Sequence, residues 1–140
     1  MTPVEALQAA LAGEHAAVYA YGVVGARLQG HPDERAAVAA YNTHRQRRST
    51  LTRLVAGTGA QPTAAAVAYD LGGPVATAPA ARRLAGLVET RVAATYADVV
   101  GAADGAVRRA AAGWLADAAV RAASWSGRPA AFPGLPERAG

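Results

Sequence analysis

Cysteine, lysine and isoleucine are missing from this 140-residue chain, and phenylalanine and methionine occur once each. Without cysteine there can be no disulfide framework and no thiolate metal site, a composition that suits a reducing compartment. Without lysine, all 14 basic residues are arginine. The formal charge of +4 therefore reads as a GC-rich coding bias more than as a surface built for phosphate. Long apolar runs are also lacking: no stretch approaches 18 apolar residues free of Gly, Pro or charge, and Met1–Leu11 has no basic region leading into an apolar one. These absences point to a soluble cytoplasmic protein.

What is present is alanine, 40 residues of it. A core drawn from Ala, Val and Leu lets helices approach closely. Strand formers other than Val are scarce, whereas Ala, Leu, Arg and Glu favour helix. One all-α domain is the expectation at this length.

Punctuation divides the chain into four helices. Thr2-Pro3 reads as an N-cap followed by proline at the first helical position, with Glu5 in the first turn. Helix 1 runs to about Leu28, where Gly30 and Pro32 stop it. Pro32 or Asp33 opens helix 2, which ends near Ala56 before Gly57 and Gly59. Residues 57–79 form a long connection with three prolines and four glycines, carrying at most one helical turn at 64–69. Helix 3 spans about Ala80 to Ala103. Asp104-Gly105 breaks it from helix 4, which ends near Trp125. Residues 1–126 thus make the bundle and 127–140 a Pro/Gly-rich tail, pinned by Phe132 and Leu135. Short, long and short links point to a ferritin-like four-helix bundle, with the long crossover between helices 2 and 3.

Helical wheels place ionisable residues inside this bundle. On helix 1, Glu14 shares a stripe with Leu7, Leu11, Val18 and Tyr21. The opposite face carries Ala12, Ala16, Tyr19 and Val23, an unusual surface to leave in water, and is expected to be a homodimer interface. Helix 2 turns Ala37, Tyr41, His44, Arg48, Leu51 and Val55 inward. Glu89 of helix 3 and Asp117 of helix 4 lie roughly 70–80° from their stripe centres. Asp117 and Arg121 are spaced as an i,i+4 ion pair.

The segments EHAAVYAYGVVGARL, HRQRRSTL, GAQPTAAAVAYDL, RLAGLVETRVAATYADVV and WLADAAVRAASW before FPGLP together resemble a ferritin-like domain family of unknown function from high-GC bacteria. The resemblance covers nearly the whole chain. It implies a ferritin-like bundle and no known activity.

A di-iron site in such a bundle takes a Glu from each of two helices and a Glu-x-x-His pair from each of the others. Here Glu14 matches a single Glu and His44 matches one His, but Tyr41 stands where the paired Glu belongs, and helix 4 has no histidine. The ligand set is incomplete. Glu14, His44, Glu89 and Asp117 are the residues that would hold iron, manganese or zinc if any metal were bound. Arg48, one turn from His44, argues for a different occupant: a guanidinium cannot lose its proton and supplies the positive charge itself. The expectation is a buried polar network of Glu14, His44, Arg48 and Tyr41, with no cofactor and no catalytic residue. The domain is then non-catalytic, with a structural, regulatory or small-ligand-binding role. Two alternatives are a metal-binding protein with oxidase-like or metal-handling activity and a nucleic-acid-binding accessory protein. The second rests on HRQRR, whose arginines diverge around the wheel.

Overall fold

The computed structural model describes residues 1–128 and 132–135. Its elements are four helices, α1 (Pro3–Arg27), α2 (Glu34–Gly57), α3 (Ala78–Ala102) and α4 (Gly105–Ser126), with no strand among the described residues. They pack as a four-helix bundle in which α1 lies against both α2 and α3, and α4 against α3.

The helix ends follow local chemistry. Thr2 accepts from the Glu5 amide while the Glu5 carboxylate accepts from the Thr2 amide, a reciprocal cap on α1. Thr77 caps α3 by accepting from the Ala80 amide. Gly127, in the left-handed region, closes α4. Asp33 precedes α2 without capping it, because its carboxylate pairs with Arg82 of α3. That pair ties the starts of α2 and α3 together at one end of the bundle.

Segment 58–77 lies along α1 and contains no helical turn, so the turn expected at 64–69 is absent. Gln8 donates to the Gln61 carbonyl and accepts from the Thr63 amide and hydroxyl. The His15 ring meets the Thr63 carbonyl, the Tyr19 and Tyr69 rings pack 5.6 Å apart, and Arg27 donates to the Val75 carbonyl. The segment therefore advances with α1, and α2 and α3 run in the same direction. Proline and glycine deny it a helix, and α1 takes up part of its backbone hydrogen bonding.

Of the tail, residues 129–131 and 136–140 lie outside the described residues. Phe132 and Leu135 stay partly exposed, at 49% and 38%. The tight contact falls instead at Gly134, where φ is +77° and an added Cβ would sit 2.7 Å from the Ala93 carbonyl.

Candidate functional site

Each helix of the bundle sends charge into one shared centre. α1 contributes Glu14, α2 contributes His44 and Arg47, α3 contributes Glu89, and α4 contributes Asp117 and Arg121. Glu14, His44 and Glu89 are fully buried. His44 lies between the two glutamates. Its Nδ1 lies 2.6 Å from Glu14 Oε2 and its Nε2 lies 3.0 Å from Glu89 Oε1, hydrogen-bonding distance on both sides.

Glu89 Oε1 also accepts from Tyr21 Oη at 2.5 Å and from Arg121 Nε at 2.9 Å. Trp125 Nε1 donates to the Tyr21 hydroxyl at 3.0 Å, and the Tyr21 ring stacks on His44 at 5.3 Å. Asp117, at the rim, ion-pairs with Arg47 and with Arg121. Arg47 completes the enclosure by lying over the Tyr96 ring.

Three carboxylates thus face one imidazolium and two guanidiniums, and the formal charges sum to zero. Burial alone would push His44 toward the neutral form. The hydrogen bonds and charges of Glu14 and Glu89 outweigh it and raise the imidazole to about 9. Burial raises Glu14, and His44 and Arg47 only partly offset it. Glu89 is also penalised by burial, but His44 and Arg121 overcome the penalty and hold it low. Asp117 is held low against its partial burial by Arg121 and Arg47. Burial and the Glu89 charge keep Tyr21 protonated far above its ordinary range. Moving one proton from His44 to Glu14 would leave the total charge at zero.

The structure corrects the network expected from the sequence. His44 and Glu14 are joined as anticipated, but Arg48 and Tyr41 stand outside. Arg48 is only half-buried, and Tyr41 packs beneath the Arg45 guanidinium. Their places are taken by Arg47, Arg121 and Tyr21. The inward face of α2 is Ala37, Ala40, His44, Arg47, Leu51 and Val55, rotated toward α4 by about half a residue from the stripe expected. Asp117 on α4 draws Arg47 across the edge of that stripe. Glu89 is central, not flanking, because α3 is packed on both sides. Asp117 and Arg121 do form their i,i+4 pair, and Arg121 reaches beyond it to Glu89.

In this arrangement the residue types that could ligate a metal pair with one another or with arginine. Both ring nitrogens of His44 are taken up by carboxylates, while Glu14 Oε1 and Glu89 Oε2 stay buried without a hydrogen-bond partner. Asp117 is held by arginines. A divalent cation would add two positive charges to a core already balanced by two guanidiniums. Among the described residues, no group of three or more His, Asp or Glu side chains is arranged to hold a metal.

Residues 6–137 match the family described as Domain of unknown function (DUF4439). The chain belongs to this family. A solved structure of similar shape is the crystal structure of a conserved hypothetical protein, rv2844, from Mycobacterium tuberculosis. It is 34% identical, with a TM-score of 0.84, over 89% of this chain and 95% of that one. No curated protein matches the chain. No helix among the described residues is long and apolar enough to cross a membrane.

Proposed function

We propose that this member of the family is a ferritin-like bundle in which an ionic network occupies the place of a metal centre, and that it acts as a non-catalytic structural or small-ligand-binding domain. The ferritin-like reading is supported by the 58–77 segment running beside α1, with α2 and α3 parallel. The observation that carries the functional reading is His44 held between Glu14 and Glu89 through both ring nitrogens. A histidine used in this way is a cation in a salt-bridge network, not a ligand. The bundle then keeps its charges for structure, and no cofactor enters the reading.

Metal analysis of the purified protein, before and after incubation with iron, manganese or zinc, tests this directly. The expected content is well below one equivalent and unchanged by Glu14→Ala, while that variant loses stability. Stoichiometric metal that disappears in Glu14→Ala would overturn the proposal and restore the metal-handling alternative.

A second copy of the chain is the proposed partner, docking on the outer face of α1. Within that face, Tyr19 packs on Tyr69 of the chain's own 58–77 segment and Ala16 faces a cavity beneath it. Val23 and Gly22 remain beside a shallow depression that Tyr41 and Val75 complete. This is the patch a partner's helix would cover.

A further inference from the structure

The ionic network leaves another feature unexplained, a partly open cavity of about 120 Å³ between α1, α3 and segment 58–77. Its walls are Ala16, Ala17 and Ala20 on one side, Leu84 and Val88 on the other, and Leu71 above. Small side chains on α1 create the space, since neither helix fills the groove between them. The neighbouring polar groups of the wall are already committed: the Thr95 hydroxyl donates to the Val92 carbonyl, and the Tyr69 hydroxyl accepts from the Ala66 amide. The pocket body is therefore apolar.

Two charged side chains complete the lining, Asp70 and Arg91. Neither enters an ion pair among the described residues. One Asp70 oxygen accepts from the Gly72 amide at 2.8 Å, which orients the carboxylate within its own turn at the edge of the cavity. An apolar chamber with one fixed anion and one guanidinium at its lining matches a molecule with an apolar body, one carboxylate and one ammonium.

We propose that this cavity binds a free α-amino acid with a small branched apolar side chain, of the valine or leucine class. Arg91 pairs with the α-carboxylate, Asp70 pairs with the α-ammonium, and the side chain fills the space between α1 and α3. Size sets the selectivity. A cavity of about 150 Å³ accommodates benzene, so this smaller one takes a branched aliphatic chain and rejects an indole. The lid is segment 69–71. Its neighbours are tied to α1 at Thr63 and Val75, while Tyr69 rests on Tyr19 through its ring alone.

Isothermal titration of the whole protein with L-leucine tests the site, with isovalerate and isoamylamine as analogues lacking the ammonium and the carboxylate. Leucine is expected to bind saturably, with each analogue and L-tryptophan at least tenfold weaker. Arg91→Gln and Asp70→Asn, both on exposed residues, should each weaken leucine at least tenfold while the far-ultraviolet circular dichroism stays unchanged. Ala16→Leu, which fills the cavity, should abolish binding; if it fails to fold, the two surface variants carry the test. The proposal is overturned by the absence of saturable leucine binding, by analogues that bind as tightly as leucine, or by an unaltered affinity in Arg91→Gln. None of these outcomes depends on whether the ionic network holds a metal.

Discussion

His44 shows how much one residue can concentrate. It is fully buried and spans Glu14 on α1 and Glu89 on α3 through its two ring nitrogens. Arg47 on its own helix and Arg121 and Asp117 on α4 surround that axis. Because its imidazole is raised from 6.5 to about 9, the folded state binds its proton more tightly than the unfolded chain does. That contribution is fully present below pH 6.5 and is lost as pH rises through 9. Glu14, also raised, works in the same direction from 4.5 upward, whereas Glu89 and Asp117, held low, withdraw their contribution in acid. Urea unfolding across this range should show stability falling between pH 6.5 and 9, by on the order of 3 kcal/mol. His44→Gln should be less stable at pH 6.5 and flatter above it. A wild-type profile that is level or rising over that interval would contradict the protonated imidazole.

At the scale of elements, segment 58–77 takes a role that its composition disguises. It has no helix of its own, yet Gln8 alone holds it by three hydrogen bonds, to the Gln61 carbonyl and to the Thr63 amide and hydroxyl. The α1 face that looked bare in the sequence is partly covered by this strap. Gln8→Ala removes the tether while leaving the apolar core intact. Hydrogen exchange at the Thr63 amide should accelerate by at least about tenfold, with global unfolding changed by less than about 1 kcal/mol. Unchanged exchange at Thr63 would show that the strap is held elsewhere.

For the whole molecule, the neutral core has an external counterpart. The formal +4 of the chain takes histidine as neutral; with His44 charged and the six charges of the centre cancelling, the outer residues carry a net +5. Small side chains permit the close helix approach that excludes water from the network, but they also leave shallow apolar ground near Gly22 and Val23. Sedimentation equilibrium should report a dimer, and Val23→Glu should shift it to monomer without loss of helicity. A wild-type protein that remains monomeric as concentration is raised would remove the second copy as partner.

Composition and punctuation by themselves determined that the chain is helical, that there are four helices, and where they begin and end to within about two residues. Thr2, Gly57 and Asp104-Gly105 are local signals, read by backbone chemistry that needs no distant contact. The buried stripes carrying Glu14 and His44 were legible for the same reason, since a 3.6-residue period is a local property. Which arginine turns inward was not. Arg47 and Arg48 are both near the α2 stripe, and only the approach of α4, bringing Asp117 beside one of them, selects Arg47. Glu89 likewise moved from flank to centre because α1 and α4 pack on either side of α3, closing over a carboxylate that the wheel alone left half in solvent. A long arginine side chain follows its countercharge, and the position of a countercharge on another helix exists only once the bundle is assembled.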